Sequence, residues 1–273
     1  MKDIFTLGID IGSTASKVVI LKNGSEMAGS AVVFWGAGTE GPGLALERAF
    51  ADARITESEC SFVVATGYGR DTFERADDRI SELSCHARGA VFLFPNVRTI
   101  IDIGGQDAKV MKIGVNGKMI NFLMNDKCAA GTGRFLEVMS RVMNIPIEKF
   151  SEMSLLSTER IEISSTCTVF AETEVISYLA KAVKREDILA GVHRSIAGRV
   201  GSLARRIGVE NDVVLTGGVA HDAGVVRALE EELNVPVYTN QYCQLNGAIG
   251  AALYGYQIYQ KESAENEGKR TDK

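Results

Sequence analysis

The feature that most constrains this chain is a short pattern that occurs twice. Asp-Ile-Gly at residues 10–12 recurs at 102–104, and Lys-Val at 17–18 recurs at the same offset at 109–110. In each copy a carboxylate ends one strand pattern, small or polar residues form a turn, and a lysine opens the next strand pattern. One Asp-x-Gly turn is common in proteins, but two matched copies indicate a duplicated strand-turn-strand unit. The chain is therefore predicted to contain two related halves.

The two turns are candidate phosphate sites. Turns of small residues can present several backbone N–H groups in one direction, and such groups bind anions. If the turns face each other across a cleft, Asp10 and Asp102 could hold Mg²⁺ through water. A third segment, Gly217-Gly218, lies between a buried strand and a helix, where a flat ligand could approach the backbone closely. An ordinary strand-to-helix turn is the alternative for that segment.

The rest of the chain alternates between strand and helix patterns, which is typical of an α/β protein. Strands are predicted near residues 5–10, 17–22, 30–34, 62–66, 99–103, 161–163, 212–220 and 236–239. Helices are predicted near residues 44–53, 82–94, 135–143, 147–156, 170–183, 185–207, 225–233 and from 246 onward. The charged segment after Lys261 has no apolar face, and it is predicted to be disordered.

Two of the five cysteines lie in similar positions. Cys128 and Cys167 each follow a strand pattern and come at the start of a helix, where unpaired N–H groups favour a thiolate. They are candidate metal ligands, although a small buried packing residue is the alternative for both. Cys60, Cys85 and Cys243 are interpreted as packing residues.

Charge and hydrophobicity narrow the range of partners. The formal net charge is -5 and the basic residues are scattered, which argues against nucleic acid, since a phosphate backbone needs a basic face. No uncharged apolar run approaches the length of a membrane span, so no membrane contact is expected. No signal peptide precedes the first strand, and the cytoplasm, where thiols stay reduced, is the expected compartment.

Four motifs resemble those of one family of ATP-dependent proteins. They occupy residues 8–17, 102–107, 125–133 and 164–172. Together with Gly217-Gly218, they resemble the ATP-dependent activators (archerases) of (R)-2-hydroxyacyl-CoA dehydratases, in the BadF/BadG/BcrA/BcrD-type ATPase family. The resemblance covers residues 4–257, and the two cysteine motifs are its most specific part.

The resemblance implies a fold, an activity and a set of partners. The fold would be the two-lobed α/β fold of the actin, hexokinase and Hsp70 ATPases, built from duplicated ribonuclease H-like units. The first lobe would comprise residues 1–96 and 247–260 and the second residues 97–246, followed by the tail at 261–273. The activity would be ATP hydrolysis coupled to transfer of one electron from reduced ferredoxin or flavodoxin to a separate dehydratase.

The same resemblance implies the site residues. One [4Fe-4S] cluster would be shared by a homodimer and held by Cys128 and Cys167 of each subunit. ATP or ADP, with Mg²⁺, would bind at Gly12, Ser13, Thr14, Ala15, Ser16, Lys17, Gly104, Gly105, Gly217 and Gly218. The water that attacks ATP would be positioned by one of four side chains that the sequence does not rank: Asp10, Asp102, Gln106 and Asp107.

Three alternative functions stay open at this point. The chain could be the activating ATPase of a benzoyl-CoA-type reductase, which would use the same motifs. A small-molecule kinase of the same superfamily would use the same turns, but no segment indicates a pocket for its substrate. A chaperone-like ATP-binding module would need a peptide-binding appendage, and only a short charged tail follows the predicted fold.

Overall fold

The computed structural model describes the backbone of residues 3–125 and 127–271, and the side chains as far as Glu265. Five residues lie outside the described part, among them one residue of the first cysteine motif and the last two of the predicted tail: Met1, Lys2, Asp126, Asp272 and Lys273. The chain divides into two compact units. Unit 1 is Met1–Pro95 with Leu245–Lys273, and unit 2 is Asn96–Gln244.

The described residues form strands and α-helices, and each unit begins with three consecutive strands. The strands are β1 (Phe5–Ile11), β2 (Ser16–Lys22), β3 (Glu26–Val33), β4 (Cys60–Thr66), β5 (Asp78–Arg79), β6 (Thr99–Ile103), β7 (Ala108–Ile113), β8 (Met119–Asn125), β9 (Val213–Thr216) and β10 (Val237–Tyr238). The helices are α1 (Gly41–Ala53), α2 (Glu82–Leu93), α3 (Gly133–Met143), α4 (Phe150–Ser154), α5 (Thr168–Ala180), α6 (Arg185–Ile207), α7 (Ala223–Leu233) and α8 (Asn246–Thr271). The bounds predicted for β6 and α6 are confirmed.

Unit 1 contains a mixed sheet in the order β3-β2-β1-β4-β5, in which β1 is antiparallel to β2 and parallel to β4. Side chains of β1 alternate between the two faces of the sheet. Leu7, Ile9 and Ile11 pack with α1 in one apolar core. On the other face α8 lies directly on β1, because a Cβ at Gly8 would come within 2.0 Å of the carbonyl oxygen of Ala248. This close contact fixes the face from which the side chain of Asp10 projects.

Unit 2 contains a mixed sheet in the order β10-β9-β6-β7-β8. Read from the other edge, this order matches that of unit 1, with β6 antiparallel to β7 and parallel to β9. The prediction of two related halves is therefore confirmed. A larger core covers this sheet, because the long helix α6 buries residues at every fourth position: Ile188, Val192, Ile196 and Val200.

Three segments differ from the sequence prediction. Cys128 does not start a helix, since it lies in the loop of residues 127–132 that precedes α3. Ile161 and Ile163 do not form a strand; they pack against α6 at Gly191, which accounts for their apolar alternation. The segment after Lys261 continues α8 as helix to Thr271, consistent with its Glu, Lys and Arg residues, which favour helix.

Candidate functional site

The first hairpin, β1-turn-β2, holds a buried ion pair. Asp10 and Lys17 face each other in the antiparallel register, and Lys17 Nζ lies 3.0 Å from Asp10 Oδ2. The turn is closed by a hydrogen bond from Gly12 N–H to the carbonyl of Ala15, at 2.9 Å. The lysine and a neighbouring histidine hold the pKa of Asp10 well below its usual range, although burial alone would raise it. Asp10 is therefore an ionised carboxylate beside the turn.

The histidine is His86 on α2, a residue that sequence reasoning missed. Its Nε2 lies 3.8 Å from Asp10 Oδ2 and 3.8 Å from Glu82 Oε1. The His86 ring is almost fully buried, and space for it depends on a glycine at the start of α8. A Cβ at Gly247 would come within 2.7 Å of His86 Nε2 and 2.9 Å of Asp10 Oδ2. No local signal in α2 could have identified this contact, because it is made only when α2, α8 and β1 pack together.

The second hairpin, β6-turn-β7, repeats the first with additional partners. Lys109 Nζ lies 2.7 Å from Asp107 Oδ2 and 3.5 Å from Asp102 Oδ2. Thr216 on β9 donates its hydroxyl hydrogen to Asp102 Oδ1, at 2.7 Å. Gly104 N–H donates to the carbonyl of Asp107 and closes the turn at 2.9 Å. Both carboxylate oxygens of Asp102 therefore have partners inside unit 2.

A Thr-Gly pair follows the same parallel strand in both units. Thr66 stands beside Asp10 in the β1–β4 register, and Thr216 stands beside Asp102 in the β6–β9 register. The glycine that follows has a φ of 84° at Gly67 and 86° at Gly217, a left-handed conformation that other residues rarely adopt. The repeated Thr-Gly pair was a signal in the sequence that could have related the loop after residue 66 to the Gly217-Gly218 segment.

The other predicted site residues lie on the two turns and in the segment after β9. Ser13 is exposed, whereas Ala15 and Ser16 are buried, and the Ser16 hydroxyl donates to the carbonyl of Trp35 at 2.8 Å. Gln106 is exposed on the second turn. Gly218 lies close to Gln244, since a Cβ there would come within 3.3 Å of Gln244 Nε2. Thus Gly104, Gly105, Gln106 and Asp107 share one turn of unit 2, and residues 12–17 share one turn of unit 1.

Backbone hydrogen bonds join the end of the Cys128 loop to the second turn. Gly133 N–H donates to the carbonyl of Gly104 at 2.9 Å, and Arg134 N–H donates to the carbonyl of Gly105 at 2.8 Å. The first residues of α3 are therefore held by the backbone of the turn predicted to bind phosphate. The Asn125 side chain donates to the carbonyl of Cys128 at 3.0 Å, which fixes the other end of the loop.

Cys167 lies at the start of α5, as the sequence predicted. It is the N-terminal cap residue, in extended conformation, and its side chain makes no capping hydrogen bond. The next residue, Thr168, has a buried hydroxyl oxygen that makes no hydrogen bond within the described residues. A sulfur acceptor beside Cys167 would use this hydroxyl hydrogen together with the unpaired N–H groups of the first turn. The surroundings of Cys167 thus fit an anionic sulfur ligand.

The remaining cysteines have different surroundings. Burial raises the pKa of Cys60 to about 12 and that of Cys85 to about 12, and burial also raises the pKa of Cys243. These three residues are therefore protonated thiols at neutral pH, which fits packing roles. Cys128 and Cys167 are partly exposed thiols, and none of the five cysteines forms a disulfide.

The metals implied by the resemblance can be tested against these residues. In the described residues, no group of three or more His, Cys, Asp and Glu side chains lies close enough to hold a metal ion. A [4Fe-4S] cluster takes four thiolates, so the chain fits this cluster only if ligands come from more than one copy. Asp10 and Asp102 are oxygen donors already held by lysines, which fits Mg²⁺ bound through water better than direct ligation.

Comparisons with known proteins identify the family of this chain. The sequence model of the BadF/BadG/BcrA/BcrD ATPase family matches residues 7–255. The 2-hydroxyisocaproyl-CoA dehydratase activator of Clostridioides difficile is 52% identical over 96% of this chain and 98% of its own length. The (R)-2-hydroxyglutaryl-CoA dehydratase activating ATPase of Acidaminococcus fermentans is 54% identical over 93% of this chain and 98% of its own length. One component of the benzoyl-CoA reductase of Thauera aromatica is 32% identical over 94% of each chain.

Solved structures show the same relationship. The activator of the 2-hydroxyisocaproyl-CoA dehydratase from Clostridium difficile, with bound ADPNP, aligns over 96% of this chain and 98% of that chain with a TM-score of 0.94. A ROK family glucokinase from Streptomyces griseus aligns over 93% of this chain and 99% of that chain with a TM-score of 0.57, but it is only 14% identical and shows the fold alone. The predicted actin, hexokinase and Hsp70-like fold is thereby confirmed. No helix in the described part of the chain has the length and hydrophobicity needed to cross a bilayer.

Proposed function

Since the chain belongs to the BadF/BadG/BcrA/BcrD ATPase family, we propose that it hydrolyses ATP to drive one electron into a 2-hydroxyacyl-CoA dehydratase. In such a dehydratase, a thioester reduced by one electron can expel a 2-hydroxyl group that is otherwise a poor leaving group. Substrate chemistry would take place on the dehydratase, and this chain would supply the electron. The identities of 52% and 54% with named dehydratase activators support this assignment.

The observation that carries the proposal is the link between the second turn and the first cysteine loop. The carbonyls of Gly104 and Gly105 accept hydrogen bonds from the first residues of α3, directly after the loop with Cys128. Helix α3 packs against α5, which begins after Cys167. A change in this turn on loss of the γ-phosphate would therefore displace both cysteine segments, which is how nucleotide-dependent switches act.

The cysteines would hold one [4Fe-4S] cluster between two copies of the chain. Each copy would supply Cys128 and Cys167, and a two-fold axis would supply the matching pair. When bound, the cluster would accept one electron from reduced ferredoxin or flavodoxin and release it to the dehydratase. The part of each chain would be to position two of the four thiolates and to exclude other ligands. Free thiols of this kind point to the cytoplasm as the compartment.

The nucleotide would be bound by backbone groups of both turns. Residues 12–17 and 104–105 would surround the phosphates, and the donors would be the N–H groups other than those of Gly12 and Gly104, which close the two turns. Gly217-Gly218 would lie against the adenosine. Asp10 and Asp102 would hold the water shell of Mg²⁺, which supplies positive charge to the phosphates. Lys17 and Lys109 would keep both carboxylates oriented and ionised.

Activation of a benzoyl-CoA-type reductase is the second candidate. It is favoured by the match to the benzoyl-CoA reductase component of Thauera aromatica, but the identity of 32% is well below that of the dehydratase activators. A kinase function has no comparable support, because the likeness to a glucokinase concerns the fold alone.

The proposal is tested by iron analysis of protein purified without oxygen. We expect a brown dimer with about four irons and matching acid-labile sulfide per two chains, because a shared cubane needs two cysteines from each copy. Cys128→Ala and Cys167→Ala should each lose the iron while ATP binding persists. Each variant should also fail to activate a dehydratase.

Three matched controls use the other cysteines. Cys60→Ala, Cys85→Ala and Cys243→Ala should keep the iron content of the unmodified protein, since burial makes these residues protonated thiols. About four irons in each single chain, or a Cys128→Ala dimer that retains its iron, would contradict the shared site.

A further inference from the structure

The two hairpins differ in what holds the aspartate, although their backbone registers match. In unit 2 the threonine of the Thr-Gly pair donates to Asp102 Oδ1. In unit 1 the corresponding Thr66 donates to the carbonyl of Ile80 instead, at 2.9 Å. Within the described residues, no hydrogen bond reaches Asp10 Oδ1. One carboxylate oxygen of Asp10 thus has no hydrogen-bond donor among the described residues, whereas both oxygens of Asp102 have a partner.

The other oxygen of Asp10 is held by side chains from two different elements. Lys17 on β2 lies 3.0 Å from Asp10 Oδ2, and His86 on α2 has its Nε2 at 3.8 Å from the same oxygen. Both contacts are sheltered, since the side chains of His86 and Asp10 are 8% and 3% exposed. Rotation of the carboxylate would break the hydrogen bond from Lys17 and lengthen the 3.8 Å contact with His86, which is electrostatic because it exceeds hydrogen-bond length.

Two glycines keep the space around this carboxylate open. A Cβ at Gly67 would lie 2.4 Å from Asp10 Oδ1, and a Cβ at Gly247 would lie 2.9 Å from Asp10 Oδ2. Gly67 thus leaves room beside Oδ1, and Gly247 leaves room for the imidazole. The arrangement uses residues from β1, β2, β4, α2 and α8, all within unit 1.

We propose that His86 is a positioning residue for ATP hydrolysis. With Lys17 it holds Oδ2 of Asp10, so that Oδ1 accepts a hydrogen bond from the water that attacks ATP. The water oxygen bonds to the γ-phosphorus, the bond from that phosphorus to the β-phosphate oxygen breaks, and the water protons end on the phosphate product and in solvent. The proposal ranks Asp10 above Asp102, Gln106 and Asp107 as the group that orients the water. The role of His86 rests on the proposed function.

The test compares His86→Leu with His86→Gln in the full-length protein. Leu fills similar space without a polar atom, whereas the Gln side-chain nitrogen can reach the position of Nε2. We expect His86→Leu to lower the kcat of ATP hydrolysis by about 10-fold to 100-fold and to leave KM for ATP within about twofold, because only transition-state orientation is lost. His86→Gln should recover most of the rate. The visible absorbance of the iron–sulfur protein should not change in either variant.

A matched control is available at the buried histidine of unit 2. His193 Nε2 lies 3.1 Å from Asp222 Oδ2, a histidine–aspartate contact away from both turns. His193→Gln makes the same chemical change there and should leave kcat within about twofold of the unmodified protein. If His86→Leu does not fold, His86→Asn replaces it, because its shorter amide cannot reach the position of Nε2 and the rate should stay low.

The outcomes separate this inference from the function on which it rests. No ATP hydrolysis by the unmodified protein would overturn the proposed function. Hydrolysis by the unmodified protein, with His86→Leu above half its rate or with His86→Gln and His86→Asn equally slow, would overturn the role of His86 alone. A raised KM with unchanged kcat would also overturn it, since it would mark His86 as a binding residue.

Discussion

The hairpins of the two units share a register but differ in how tightly each aspartate is held. Asp102 is paired with Lys109 and Thr216, and Lys109 is shared with Asp107, so the second hairpin is a closed network of polar groups. Asp10 has Lys17 and His86 on one oxygen and no hydrogen bond from the described residues on the other. Duplication has thus produced one hairpin whose aspartate has partners on both oxygens and one whose aspartate, as proposed above, acts on a ligand.

The largest expected difference is in stability. Lys109→Met should destabilise the protein by about 3–5 kcal/mol, because a side chain 2% exposed would leave two carboxylates without their shared cation. Lys17→Met should cost less, about 1–3 kcal/mol, since Lys17 has one carboxylate partner and is 15% exposed. Urea unfolding followed by circular dichroism measures both.

Lys22→Met is the surface control for this pair. Lys22 lies 2.9 Å from Asp3, but both side chains are substantially exposed and solvent screens the pair, so the loss of stability should be smaller than that of either hairpin lysine. Equal destabilisation by Lys109→Met and Lys17→Met would remove the proposed contrast between the hairpins.

The next difference concerns catalysis. Asp10→Asn should lower the kcat of ATP hydrolysis by about 100-fold to 1,000-fold, because the amide cannot accept from water as a carboxylate does. Asp102→Asn should lower kcat by less and should weaken ATP binding, since both Asp102 oxygens serve the second turn. Steady-state kinetics with calorimetric ATP titration measures the two effects. A larger loss of kcat in Asp102→Asn would reverse the ranking.

The smallest difference concerns the two threonines. Thr216→Val should cost about 1.5–3 kcal/mol, because it removes a hydrogen bond to a buried charged group. Thr66→Val removes a bond to the neutral carbonyl of Ile80 and should cost about 1 kcal/mol. Thermal unfolding of the two variants measures which of them loses more stability. If Thr66→Val proved the more damaging, the threonine of unit 1 would have a role that its hydrogen bond does not explain.

Patterns carried by consecutive residues were predictable from the sequence. The duplicated hairpins, the bounds of α6 and the start of α8 follow from local periodicity and turn residues, which do not depend on distant contacts. The position of Cys167 before α5 was predicted for the same reason.

Features made by packing between distant segments were not predictable. His86 reaches Asp10 only because α8 lies against both α2 and β1. The loop of Cys128 is set by hydrogen bonds from Gly133 and Arg134 to the second turn, so α3 begins at Gly133, two residues before the first apolar residue of its pattern. The alternation of Ile161 and Ile163 reflects contact with α6 and not a strand.

The close packing of α8 on β1 affects the order in which the chain can fold during synthesis. Unit 2 is continuous in sequence, whereas unit 1 joins the residues up to Pro95 to the segment that begins at Leu245. The ribosome synthesises all of unit 2 before α8. The face of the first sheet that carries Thr6 and Gly8 therefore lacks the helix that covers it until α8 has been synthesised. The first unit to be started is therefore the last to be completed.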